Sequence, residues 1–121
     1  MTIYALSSGF GKSGIAVIRV SGPEARKVIE LLTNNPMPIP KMATLKRINK
    51  INTHEIIDEG IILWFPAPQS YTGEDMAEFH VHGSRAVINA MHNSISKIKN
   101  CRLAEPGEFT RIAFQNGKVN L

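Results

Sequence analysis

The feature that most constrains this chain is the apolar run Ile61-Ile-Leu-Trp-Phe65, halted by Pro66 and Pro68 and followed by Glu78-Phe-His-Val-His82. Proline cannot donate to a β ladder, so the two prolines fix where the first strand stops. The alternation from Glu78 to His82 predicts another strand, with polar side chains on one face and apolar ones on the other. Between them lies a polar loop containing Tyr71-Thr-Gly-Glu-Asp75. Loops that end rigid strands and carry carboxylates are where binding chemistry tends to sit. A sheet with such a loop at one end is therefore required, but these residues alone leave the ligand undetermined.

Local punctuation gives the remaining elements. Thr2 to Ser7 and Gly14 to Val20 read as strands joined by a glycine-rich connection. Gly9-Phe-Gly-Lys-Ser-Gly14 matches G-x-G-x-x-G, but that fingerprint needs a helix next, and the β-branched run Ile15-Ala-Val-Ile-Arg-Val20 predicts a strand. It is not a Walker A loop either, because Leu6 stands where the first glycine belongs. Ser21-Gly-Pro-Glu24 reads as a helix start, with Ser21 as cap and Pro23 in the first turn. Ala25, Val28, Ile29, Leu31 and Leu32 supply the apolar side of that helix. After a proline-punctuated connector over 36–42, Leu45 to Ile51 and Ile56 to Phe65 read as an antiparallel pair turning around Asn52 to Glu55. Gly83-Ser84 leads into a helix carrying Ala86, Val87, Ala90, Met91, Ile95 and Ile98 on one side. A short strand near Arg102 to Ala104 and a last helix, Phe109 to Gln115, complete the order β-β-α-β-β-β-α-β-α. That order predicts one α+β domain, residues 1–121, with a mixed, largely antiparallel sheet. Lys118-Val-Asn-Leu121 carries no terminal signal, which fits a truncated chain.

Composition narrows the class. The chain has 121 residues, 43% hydrophobic and 20% charged, as expected of one soluble globular domain. No apolar run approaches the ~20 residues of a membrane span, and Met1-Thr-Ile-Tyr-Ala-Leu6 lacks the pattern of a secretion signal. Cys101 is the single cysteine and reads as a small core residue, so a cytoplasmic location is expected. The net charge of +4 is concentrated in Lys41, Lys46, Arg47 and Lys50 and in Lys97, Lys99 and Arg102. Such clusters suit phosphate backbones or are simply solvated faces.

Three places could carry chemistry. Glu78, His80 and His82 share a strand face, and read as the polar wall of a small-molecule pocket rather than as a metal site, since three ligands crowded on one strand rarely close around an ion. Arg19 lies in an apolar strand on the side of Ile15 and Val17, which reads as inward, so it needs solvent or an anionic partner. Lys118, just after Asn116-Gly117, reads by itself as an exposed lysine. Trp64 and Phe65 are core residues or an aromatic wall for a flat ligand.

Several motifs, in order, resemble the N-terminal domain of the tRNA-modification GTPase family known as MnmE or TrmE. They are Gly14-Ile-Ala-Val-Ile-Arg-Val-Ser-Gly22, Leu63-Trp-Phe-Pro-Ala-Pro-Gln-Ser-Tyr-Thr-Gly-Glu-Asp75, His82-Gly83, Ala104-Glu-Pro-Gly-Glu-Phe-Thr-Arg-Ile-Ala-Phe114 and Asn116-Gly-Lys118. Ser84 departs from the pattern, standing where the family tends to have a second glycine. The resemblance implies a fold like that of folate-binding aminomethyltransferase domains, a homodimer, and binding of a reduced folate of the formyl- or methylene-tetrahydrofolate type. It implies a place in aminomethyl-type modification of the wobble uridine of tRNA, with a flavin-dependent partner protein. The family's full-length protein also uses GTP, magnesium and potassium in a GTPase domain that this chain lacks. Carried over by motif, the folate-binding residues are Arg19, Glu78 and Lys118, with no catalytic residue and no metal ligand. Glu78 would accept paired N–H donors of a pterin, while Arg19 and Lys118 suit its carbonyls and glutamate tail. Two alternatives stay open, a basic tRNA-docking module without functional folate binding and a stand-alone one-carbon transferase. The one-carbon oxidation state and the tRNA set stay open too.

Overall fold

The computed structural model describes residues 1–7, 14–34 and 36–120. Nine elements run in the expected order: β1 (Thr2–Leu6), β2 (Ile15–Ser21), α1 (Ala25–Thr33), β3 (Thr44–Asn49), β4 (Ile56–Phe65), β5 (Met76–His82), α2 (Arg85–Ser96), β6 (Cys101–Leu103) and α3 (Glu108–Gln115). The strands form one sheet in the order β3-β4-β5-β2-β1-β6. Only the β1–β6 pairing is parallel, so the domain is α+β with a mixed, mostly antiparallel sheet. Most of the Gly9–Gly14 run falls outside the described residues, but Gly14 leads into strand β2 and not into a helix.

One sheet face carries the main core. Ile18 and Val20 of β2, Ile62 and Trp64 of β4 and Phe79 of β5 pack with Val28, Ile29 and Leu32 of α1 and Met91 and Ile95 of α2. Burying side chains of this size contributes roughly 1.5–3 kcal/mol each. The opposite face is graded. Strand pairing aligns Ile3, Ser21, Met76 and Phe65 in its first row and Ala5, Arg19, Glu78 and Leu63 in its second. Val17, His80, Ile61 and Leu45 form the third. Ile3, Ser21 and Met76 are buried, the second row is half-buried, and farther out Leu45 and Ile15 are 62% and 55% exposed.

Arg19 is therefore on the face opposite the main core, not the inward face that alternation suggested. Both alternating sets of β2 are apolar, so periodicity had nothing with which to choose between them.

The start of α1 also differs from its sequence signature. Ser21 ends β2, and its hydroxyl is bonded to Thr72 Oγ1 at 2.8 Å and to Glu74 Oε1 at 3.1 Å. Glu24 stands at the N-cap without a side-chain capping bond, and Thr2 ties this start to β1, its Oγ1 accepting the Glu24 N–H at 2.8 Å. A Cβ on Gly22, whose φ is +137°, would sit 2.6 Å from that same Thr2 oxygen, so only glycine allows the approach. Ser84 is the N-cap of α2, accepting from the Val87 N–H at 3.2 Å. Serine in place of a glycine thus has a local structural reason.

Candidate functional site

The loop after β4 is held by its own polar side chains. Asp75 Oδ1 accepts the Ala67 N–H at 2.8 Å, and Thr72 Oγ1 accepts the Glu74 N–H at 3.2 Å. Ser70 Oγ donates to the Glu74 carbonyl and accepts the Gly73 N–H at 3.0 Å. Glu74 accepts from Ser21, and Gly22 N–H donates to the Asp75 carbonyl at 2.9 Å. The Gly-Glu-Asp cluster, read from sequence as binding chemistry, instead builds the loop and ties it to β2.

That fixed loop presents Tyr71, 40% exposed, over the face that carries Arg19. The Arg19 guanidinium carbon lies 5.3 Å from the centre of the Tyr71 ring, within cation–π range. The Tyr71 hydroxyl is 3.0 Å from Thr110 Oγ1 of α3. Strand pairing sets Arg19 opposite Glu78, and Arg19 donates to Glu78 Oε2 at 3.2 Å. Arg19 Nε is buried yet has no hydrogen-bond partner among the described residues. An orphaned buried donor costs about 1–3 kcal/mol, so a group beyond the described residues, or water, is its natural partner.

The predicted histidine face divides in two. His80 Nε2 is 3.0 Å from Glu78 Oε1, whereas His82 turns to Asp58. Asp58 Oδ2 accepts the His82 backbone N–H at 2.8 Å, and its Oδ1 lies 2.9 Å from the ring Nδ1. Burial alone would raise the Asp58 pKa, but the bonds from His82, together with the Glu59 N–H at 2.8 Å, outweigh it and leave the pKa lowered. Sequence reasoning missed Asp58, because a carboxylate completing a ladder across two strands has no local signature. β4 comes close to β5 here: a Cβ on Gly60 would lie 2.4 Å from the His80 carbonyl oxygen. Among the described residues no group of three His, Cys, Asp or Glu side chains is placed to hold a metal ion.

Lys118 reaches the same loop from its far side. Its Nζ donates to the Pro68 carbonyl at 3.1 Å, and its Cγ would be 3.3 Å from a Cβ on Gly73. Asn116 Nδ2 donates to the Thr72 carbonyl at 2.8 Å, which fixes the end of α3 on that loop. The structure thus joins Arg19 and Glu78 directly and connects Lys118 to them through residues 66–75. Trp64 is buried in the core, and Phe65 is half-buried on the open face.

Residues 2–118 match the family described as the GTP-binding protein TrmE N-terminus. The chain belongs to this family. It is 74% identical over 121 residues to the tRNA modification GTPase MnmE of Pelagibacter ubique, covering 100% of this chain and 27% of that protein. The MnmE of Parvibaculum lavamentivorans is 50% identical over 99% of this chain and 27% of its own length. The human mitochondrial 5-taurinomethyluridine-[tRNA] synthase subunit GTPB3 is 48% identical, over 99% and 25% respectively. The chain therefore spans about a quarter of the length of the curated relatives it matches. Among the described residues no helix is long and apolar enough to cross a membrane.

Proposed function

We propose that this chain is the tetrahydrofolate-binding and dimerisation module of a cytoplasmic tRNA-modification GTPase. Its role is aminomethyl-type modification of the wobble uridine, together with a flavin-dependent partner protein. The observation that carries the folate reading is the buried Arg19 Nε, without a partner among the described residues, beside Glu78. A pterin offers adjacent N–H donors for a carboxylate, and its carbonyl is an acceptor for a guanidinium. Lys118, exposed on the neighbouring loop, suits a carboxylate tail. When bound, the folate supplies the one-carbon unit. The chain's own residues hold and orient it. GTP, magnesium and potassium belong in this reading to a GTPase domain outside these 121 residues.

The open sheet face and the β3 edge fit a two-fold contact, since Ile15 and Leu45 are exposed there and no described helix covers them. The tRNA-docking alternative has less support. Lys50 is paired with Glu55 at 2.9 Å and Arg102 is held by Glu108, so neither basic cluster is wholly free for phosphates. Parallel calorimetric titrations with 5-formyltetrahydrofolate and with tRNA discriminate the two readings. Saturable folate binding with weak, salt-sensitive tRNA binding is expected; the reverse pattern overturns the folate reading. Sedimentation over a hundredfold concentration series tests the dimer, and a fixed monomer value would contradict it.

A further inference from the structure

We propose that His80 is an internal stand-in for the ligand at Glu78, an imidazole that occupies one carboxylate oxygen until a ligand displaces it. This rests on the folate-type reading above. It makes His80 a specificity-determining residue, because only a ligand offering at least an equivalent donor recovers what its arrival breaks.

Both Glu78 oxygens are already engaged, Oε2 by Arg19 at 3.2 Å and Oε1 by His80 Nε2 at 3.0 Å. The Glu78 side chain is only 17% exposed, which restricts the directions from which further donors can reach it. A ligand donating a pair of N–H groups needs both oxygens, and because so little of the carboxylate is open to a second donor, the less firmly held resident yields. Arg19 is held twice, by Glu78 and by the Tyr71 ring. His80 makes its one side-chain hydrogen bond among the described residues to Glu78. It also has somewhere to go. On its other side an open groove of about 210 Å³ is lined by Ile15, Leu45, Ile61, Glu59 and His82.

Displacement of an imidazole depends on pH. A neutral ring gives Glu78 an ordinary hydrogen bond, whereas a protonated ring gives a charge-assisted one of roughly twice the strength. The groups directly across from His80 are apolar, Val17 on β2 and Ile61 on β4. The titratable and charged groups around it are Glu78 and His82 on β5, Arg19 on β2, Asp58 and Glu59 on β4, and Arg47, which faces Glu59 from β3. Of these, Glu78 bonds the ring and His82 is tied to Asp58. A protonated His80 is thus the stronger competitor, and ligand binding is weaker in acid than in base.

The test compares the wild-type chain with His80→Ala and His80→Gln, titrated with 5-formyltetrahydrofolate at pH 6 and pH 8. The ligand's own ionisations are common to all chains and cancel in the comparison. At pH 6 His80→Ala should bind on the order of 3- to 10-fold more tightly than wild type, the worth of one hydrogen bond, with a smaller gain at pH 8. His80→Gln, which can still donate but does not titrate, should bind like wild type at pH 8 and lose the acid weakening. Weaker binding by His80→Ala at both pH values, or an unchanged pH slope, overturns the stand-in role while leaving the folate reading intact. Absence of folate binding by every chain overturns the folate reading itself.

Discussion

Two arginine–glutamate pairs in this domain look alike on paper and are built differently. At the start of α3, Glu108 is 4% exposed and every direction around its carboxylate is used. Arg102 donates to both oxygens, Nη1 to Oε1 at 2.8 Å, while the Glu105 N–H donates to Oε1 at 2.9 Å and Arg111 reaches Oε2 at 3.5 Å. On the open face, Arg19 gives Glu78 one bond at 3.2 Å and keeps a buried Nε without a partner among the described residues. A saturated pair closes a structure on itself. An unsaturated pair beside an exposed aromatic ring keeps donor capacity in reserve, which is what a binding site requires.

The comparison is broken most strongly by truncation. Glu108→Ala should cost about 2–3 kcal/mol in urea unfolding, below the full cost of breaking a buried pair because Arg102 is 42% exposed. Glu78→Ala should cost less, about 1 kcal/mol, since its carboxylate holds one bond from Arg19 and one from His80 in a partly exposed setting. Equal losses in the two variants would erase the distinction.

Acid sharpens it. The Arg102 hydrogen bonds, helped by the Glu105 N–H, lower the Glu108 pKa from 4.5 to about 2. A carboxylate with a depressed folded-state pKa contributes stability that is present above its unfolded value and lost as the folded value is approached. Wild-type stability should therefore fall between pH 4.5 and about 2, with a shallower fall in Glu108→Gln. An identical acid limb in that variant would place the sensitivity elsewhere.

The smallest effects concern the supports. Thr2→Val removes the acceptor of the Glu24 N–H and should destabilise by about 1 kcal/mol. Tyr71→Ala should leave stability nearly unchanged and weaken folate binding about 2- to 5-fold through loss of the cation–π contact. Tyr71→Phe keeps the ring and should recover most of that loss. No recovery would shift the role to the hydroxyl and its Thr110 contact.

These pairs also show what the chain discloses before it folds. All nine elements are legible, because Pro66, Gly83-Ser84 and the β-branched runs punctuate them locally. The use of Ser21 is not. Its hydroxyl is taken by Thr72 and Glu74, partners 51 and 53 residues away that outcompete the local capping motif. Nor is the adjacency of Arg19 and Glu78, 59 residues apart, which exists only once β2 and β5 pair in register. The polar residues of 70–75 look like a ligand site because composition does not distinguish a loop's internal bonds from those it offers outward.

The central claim is that the unsaturated pair on the open face is the ligand site. Isothermal titration of the chain with 5-formyltetrahydrofolate, repeated on Arg19→Ala, Glu78→Ala and Glu108→Ala under conditions where each is folded, tests it most directly. The first two should bind roughly 10- to 150-fold more weakly, the loss of one charge-assisted hydrogen bond of about 1.5–3 kcal/mol, while Glu108→Ala keeps wild-type affinity. Wild-type affinity in both Arg19→Ala and Glu78→Ala would contradict the account.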